Sequence, residues 1–126
     1  MTDAYGAGIN AGPSGGIPDA YSKGTYVANA PVVMKSGTSY TVSASDSGWT
    51  LVFNNAAAVT VTVPKGLGPT FICALVQWGA GQVGFVAGAG VTLNSGGGLT
   101  HMSGQYATGL LQAILADSLL LSGSIV

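Results

Sequence analysis

Hydrophobic and polar residues alternate most cleanly at 59–63, where Val59, Val61 and Val63 are separated by Thr60 and Thr62. A period of two puts the valines on one face of a strand and the threonines on the other. Ser39–Ala44 repeats the pattern, with Tyr40, Val42 and Ala44 set against Ser39, Thr41 and Ser43. Trp49–Asn54 follows, with Trp49, Leu51 and Phe53 on one face. Thr70–Trp78 is a longer apolar run whose length and composition suit a central strand. Val83–Val86 and Val91–Leu93 predict short strands, and Tyr26–Met34 an extended segment in which Pro31 marks an edge or a bend. Gln105–Leu115 and Ser118–Ile125 predict a terminal hairpin turned at Ala116-Asp117. A helix is the rival for Gly109–Leu115, because Leu, Gln and Ala are good helix formers, but Gly109 and the short length count against it.

Turn residues separate these runs: Ser45-Asp46-Ser47-Gly48, Pro64 to Pro69, Gly79-Ala80-Gly81, Ala87 to Gly90, and Ser95-Gly96-Gly97-Gly98. Strands this short, spaced by such signals, predict an all-β fold: an antiparallel β-sandwich or barrel-like domain. The Gly-Ala-Gly pieces at 79–81 and 88–90 read as flanking one hairpin and are too little to establish a solenoid. Residues 1–25 differ, being rich in Gly, Ala, Pro and Ser and without apolar periodicity. The expected organisation is therefore an extended N-terminal arm, 1–25, and a β-domain, 26–126, that mediates oligomerisation. Within the arm, Tyr5, Ile9, Ile17 and Tyr21 stand among small residues, a spacing expected of side chains that plug pockets on a neighbour. A tail kept only for solvation should lack such residues.

Composition sharpens this picture. Only 6% of the 126 residues are charged and 48% are hydrophobic, whereas ordinary soluble domains are about 25% charged. There is no Arg or Glu; the ionic side chains are Asp3, Asp19, Asp46, Asp117, Lys23, Lys35 and Lys65. A surface so short of charge has little to hold copies apart, and burial against sister chains resolves the difficulty. Three scattered lysines cannot replace the counterions of a nucleic acid, so none is expected as a partner. The apolar stretch Gly109–Val126 is broken by Gln112, Asp117, Ser118, Ser122 and Ser124, so no membrane span is expected. Met1-Thr2-Asp3 is not the basic start of a signal peptide and no apolar h-region follows it, so none is expected.

Candidate chemistry is sparse. Asp46 and Asp117 sit in predicted turns, where carboxylates bond to backbone. A zinc site needs three or four ligands, beyond the reach of Cys73 and His101 alone. Cys73, inside an apolar run, reads as a small buried thiol, and His101 as a loop or strand-end side chain. Trp49, Phe53, Phe71, Trp78 and Phe85 fall within predicted strands and read as core rather than as a sugar-stacking platform. No catalytic group, cofactor or metal is expected, and the chain does not read as an enzyme.

Several stretches taken in order carry a resemblance: Tyr40-Thr41-Val42 with Asp46-x-Gly48-x-x-Leu51-x-Phe53, then Val59 to Pro64, Gln77-x-Gly79-Ala80-Gly81-Gln82-Val83-x-Phe85, Gly88 to Leu93, and Ser103-Gly104-Gln105-Tyr106-Ala107 before the last hairpin. Together, over roughly the last two-thirds of the chain, they resemble a β-domain of tailed-bacteriophage virion proteins, of the kind found in head decoration proteins, head fibres and tail-fibre termini. The resemblance implies a homotrimer without catalytic residues. The motifs leave the place in the virion open; the shortness of the chain, 126 residues with no room for a shaft, favours a capsid decoration, cement or head-fibre protein on the outer surface of the phage head, made in the host cytoplasm and attached by its arm to the major capsid protein or an adjacent virion protein. The alternative it leaves open is a tail-fibre tip or baseplate protein that binds a host receptor. Two features depart from the pattern: Gly84 stands where a β-branched residue is expected, and the last hairpin is almost wholly apolar. The second departure points to burial between subunits, with Leu110, Ile114, Leu119 and Leu121 as the expected interface.

Overall fold

A computed structural model describes residues 31–126, a compact unit of its own. The expected arm, with Tyr5, Ile9, Ile17 and Tyr21, lies outside the described residues, as does the segment 26–30 of the expected β-domain. Nine strands are described: β1 (Val32–Lys35), β2 (Ser39–Thr41), β3 (Thr50–Phe53), β4 (Val59–Val63), β5 (Ile72–Gln77), β6 (Val83–Ala87), β7 (Thr92–Ser95), β8 (Thr108–Leu115) and β9 (Ser118–Gly123). Short 3-10 turns at Ala44–Asp46 and Gly96–Gly98 complete the elements. The fold is all-β, as the alternation predicts, and no helix forms over Gly109–Leu115.

Strand direction departs from the sequence expectation. Successive strands switch between two sheets: β1, β3 and β5 lie side by side in a six-stranded sheet of order β1-β3-β5-β8-β9-β7, while β2, β4 and β6 form a three-stranded sheet. Five of the seven strand pairings are parallel, and only β5–β8 and β8–β9 are antiparallel. The two-layer expectation therefore holds, whereas the antiparallel one is corrected. The reason is that each short loop carries the chain across to the opposite sheet. A parallel neighbour is then reached after one full circuit, which supplies the long crossover that parallel pairing requires.

The result is a solenoid of three coils, β1–β2, β3–β4 and β5–β6. The register sets Leu51 beside Leu75 and Val59 beside Val83, both 24 residues apart. Gly79-Ala80-Gly81 and Gly88-Ala89-Gly90 do not flank a hairpin; they are corners of successive turns of the coil, since β6 and β7 belong to different sheets. At the first corner the stacking is close. The Gly81 N–H donates to the Asn55 carbonyl at 2.8 Å, and a Cβ on Gly81 would fall 1.8 Å from the Ala57 oxygen. Only a residue without a side chain fits there.

The core lies between the sheets. Leu51, Phe53, Cys73 and Leu75 from the larger sheet meet Val59, Val61, Val63, Val83 and Phe85 from the smaller, all at 2% exposure or less. Buried Gln77 continues the Phe53 row without leaving its polar atoms unpaired. Its Nε2 donates to the Gly79 carbonyl at 3.2 Å, and its Oε1 accepts from the Val83 N–H at 3.1 Å. After the third coil, β7 returns to the six-stranded sheet at its far edge, and the β8–β9 hairpin fills the gap between β5 and β7. The hairpin turn puts Asp117 at φ 57°, a left-handed conformation that Asp tolerates better than most residues. Its Oδ1 accepts from the Gly66 N–H at 2.9 Å, tying the turn to the β4–β5 loop.

Gly84 also has a local explanation. Its outward side is covered by the His101 ring, and a Cβ would come within 2.8 Å of that ring's Cδ2 and Nε2. His101 pairs with Gly84 as an isolated bridge and exchanges backbone hydrogen bonds with Val126. It therefore lines the β6 edge of the three-stranded sheet as an isolated bridge, not at the end of a strand. On the outer side of the three-stranded sheet, Thr60 and Thr62 stand beside Ser39 and Thr41 of β2 and, on the other side, beside Gly84 and Val86 of β6.

Candidate interaction surfaces

Among the described residues no three His, Cys, Asp or Glu side chains gather into a metal-binding group. The two described carboxylates do structural work. Asp46 is buried and accepts from the Tyr40 hydroxyl at 2.6 Å and from the Ser43 N–H at 2.8 Å. Burial, reinforced by this carboxylate, raises the Tyr40 hydroxyl above its ordinary value of 10.0. Burial also pushes the Cys73 thiol up to about 12, with Asp46 adding to the effect. Cys73 therefore stays protonated and is a packing residue.

The outer face of the six-stranded sheet is the first distinctive surface. Inward positions alternate with outward ones, and the outward set holds Val32, Met34, Val52, Ile72, Ala74, Val76, Leu110, Ile114 and Leu120, with Thr50, Thr108, Gln112 and Ser122 between them. None carries a charge. Val32, Met34 and Ile114 are more than half exposed. Of the four expected interface residues, Leu110 and Ile114 lie on this face. Leu119 and Leu121 do not: at 1% exposure each, they point between the sheets and belong to the core of the single chain. Their odd-numbered neighbours' register across β8–β9, Leu121 beside Leu111, explains it, since a period of two sends both inward.

The second surface is the corner where β5 leaves the sheet. Phe53 pairs with Gln77, so Asn54 and Trp78 are the next neighbours along the row, and Lys35 beside Phe53 brings Ser36 into line with them. All three corner residues are exposed. Tyr106 closes the row: its N–H donates to the Gln77 carbonyl at 2.6 Å, and its ring meets the Trp78 ring edge-on, with centroids 5.2 Å apart at 71°. Gln105 Nε2 donates to the Trp78 carbonyl at 3.2 Å. Trp78 is 49% exposed and Tyr106 63%. Trp78 is thus not a core residue, contrary to the sequence expectation, and neither is Trp49, at 39% exposure; Phe53, Phe71 and Phe85 are. The alternation of β5 turns Ile72, Ala74 and Val76 outward, and Trp78, still bonded through its N–H to the Phe53 carbonyl at 2.8 Å, follows them.

Tyr106 sits at φ 68°, where a bulky side chain is strained by about 1–2 kcal/mol. Nothing in the alternation marks this position. The signal that could have found it is Gly104-Gln105-Tyr106 itself, a turn that carries an aromatic without an apolar run around it.

A third feature is a hollow of about 340 Å³ at the β1 end of the coils, lined by Val33, Lys35, Ser45, Asp46 and Trp49. Lys35 Nζ lies 4.5 Å from the centroid of the Tyr40 ring, so this cation is already occupied by a ring face.

Comparisons with family models, with curated proteins and with solved structures each found no match.

Proposed function

We propose that this chain is a non-enzymatic structural protein of a tailed-phage particle, a capsid decoration, cement or head-fibre protein. In this reading the β unit associates with copies of itself as a homotrimer through the outer face of the six-stranded sheet. The N-terminal segment attaches the assembly to the capsid shell. The observation that carries the reading is that face: a broad sheet surface whose outward residues include exposed Val32, Met34 and Ile114 and no charged side chain. Apolar surfaces of this kind mark contact sites, and interfaces between permanent partners resemble a core cut in half. Three arms on one trimer would also raise the effective concentration of each at the shell.

Sedimentation equilibrium tests the self-association. The natural chain is expected to sediment as an oligomer. The Leu110→Lys/Ile114→Lys double variant places two like charges per copy on the contact face and is expected to be a folded monomer by circular dichroism. A natural chain that stays monomeric at high concentration would refute the contact. Attachment is tested separately: deletion of residues 1–25 should abolish binding to particles while leaving the β unit folded, and images of native particles should place the protein on the head.

A further inference from the structure

We infer that the Trp78–Tyr106 corner is a binding site for a neutral oligosaccharide, which the ring of Trp78 stacks against and the adjoining side chains hydrogen-bond. This goes beyond the structural role proposed above and does not depend on which part of a particle carries the protein. The two rings stand at 71° with centroids 5.2 Å apart, so one forms a floor and the other a wall. The C–H face of a pyranose packs on such a floor, because aromatic rings present an electron-rich apolar face. Its hydroxyls need neutral donors and acceptors at the rim, and the corner supplies them.

Asn54 adjoins Trp78 on one side, Ser36 lies one coil further, and Gln105 is held beside Trp78 by the bond its Nε2 makes to the Trp78 carbonyl. Neighbouring positions along the stack are separated by about 4.8 Å, the distance between paired strands. The row from Ser36 through Asn54 to Trp78 and Tyr106 is therefore a straight track that suits consecutive sugar rings rather than a single one. The ligand is neutral because the track has no ionic partner for an acidic sugar or a phosphate. The four charged residues in the described part of the chain are Lys35, Asp46, Lys65 and Asp117. Lys35 is engaged with Tyr40, and Asp46 and Asp117 with backbone.

The backbone of Tyr106 gives an independent argument. A glycine at φ 68° would carry none of the strain that tyrosine does. The corner geometry itself is secured by the Tyr106 N–H to Gln77 and the Ala107 N–H to Gly104, bonds that any residue would make. The phenol is what tyrosine adds, a ring against Trp78 on a residue that is 63% exposed. Interfaces between proteins also favour exposed Trp and Tyr; the residues flanking this pair along the chain and the row, Gly79, Ala80, Gly104, Asn54 and Gln105, are small or polar, and the nearest large aliphatic position on the same strand face is Val76, two residues before Trp78.

The test is a titration of the full chain with chitotriose, cellotriose, maltotriose and, as the acidic control, sialyllactose, following the indole N–H signals by NMR. The chain has two tryptophans, so Trp49 serves as the internal reference. The expected result is a saturable shift of the Trp78 signal with at least one neutral trisaccharide while Trp49 stays in place. Trp78→Ala and Tyr106→Gly should each weaken binding at least tenfold. Tyr106→Gly should melt no lower than the natural chain, since it removes strain, and Trp78→Ala should leave the oligomeric state unchanged. The inference is overturned if no neutral sugar moves Trp78 up to about 10 mM, where a millimolar complex would be well populated. It is equally overturned if both indoles shift together, or if Trp78→Ala dissociates the oligomer, which would make the corner a contact between copies.

Discussion

The coils, residues 32–87, and the C-terminal cap, residues 92–123, share one sheet but hold their strands in place by different means. Between coils every pairing is parallel and is reached only after a circuit through the opposite sheet. Register there is set at the corners, where Gly79 and Gly81 let one turn of chain rest on Asn55 and Ala57 of the turn before. In the cap, β8 and β9 are antiparallel and joined by a tight turn, so register is set locally by Asp117 and the residues beside it. The coils depend on backbone approaching backbone; the cap depends on one turn residue and its bond to Gly66. The two regions should therefore fail in different ways.

The largest effect is expected at the coil corner. Gly81→Ala drives a methyl group into the Ala57 carbonyl, and backbone cannot yield there without parting two coils, so loss of the folded state is expected in thermal melts. Gly104→Ala, where a Cβ meets nothing within 4 Å, is the matched control and should melt like the natural chain. A smaller effect should follow from Gln77→Leu. It fills the same space but leaves the Val83 N–H and the Gly79 carbonyl without partners, at a cost of about 1–3 kcal/mol in urea denaturation. In the cap, Asp117→Ala gives up the bond to Gly66 and keeps a positive φ that alanine tolerates poorly. About 1–2 kcal/mol is expected, and Asp117→Gly should recover part of it by removing the backbone strain.

The last effect is confined to alkaline solution. Folding raises the Cys73 thiol from 9.0 to about 12 and raises Tyr40 as well. Both groups are held neutral in the folded chain and ionise more readily in the unfolded one. Their contribution is complete below pH 9 and declines as the pH climbs toward 12. At pH 10 the Cys73 part of the loss is about 1 kcal/mol, visible as a lower Tm than at pH 8. Cys73→Ala should flatten that decline while starting from a lower Tm, because it also leaves a small cavity in the core.

Much of this molecule can be read from its residues, and what escapes has a common cause. Val59–Val63 is a strand with the bounds its alternation predicts, and the apolar run at Thr70–Trp78 becomes β5, a central strand of the larger sheet. Alternation reports which face a side chain occupies and nothing about the direction of the neighbouring strand. The short loops at 54–58 and 78–82 thus look like hairpin turns although they cross between sheets. The 24-residue spacing is present in the chain as Leu51 and Leu75, Val59 and Val83, Val61 and Phe85. It is a repeat of pattern rather than of identity, which a search for matching words passes over. The interaction surfaces divide in the same way. Leu110 and Ile114 are legible as an apolar face, whereas separating them from Leu119 and Leu121 requires the register. The Trp78–Tyr106 corner joins residues 28 positions apart through a backbone bond that no local pattern announces.

The equal spacing of the second and third coils has a consequence for how such a molecule can change size. A unit of 24 residues that begins and ends at the same point of the circuit can be duplicated or excised without disturbing what lies on either side. One added copy would lengthen the rod by a single strand spacing, about 4.8 Å. Height is then a quantity that heredity or an engineer can count out in whole steps, while both ends keep their chemistry.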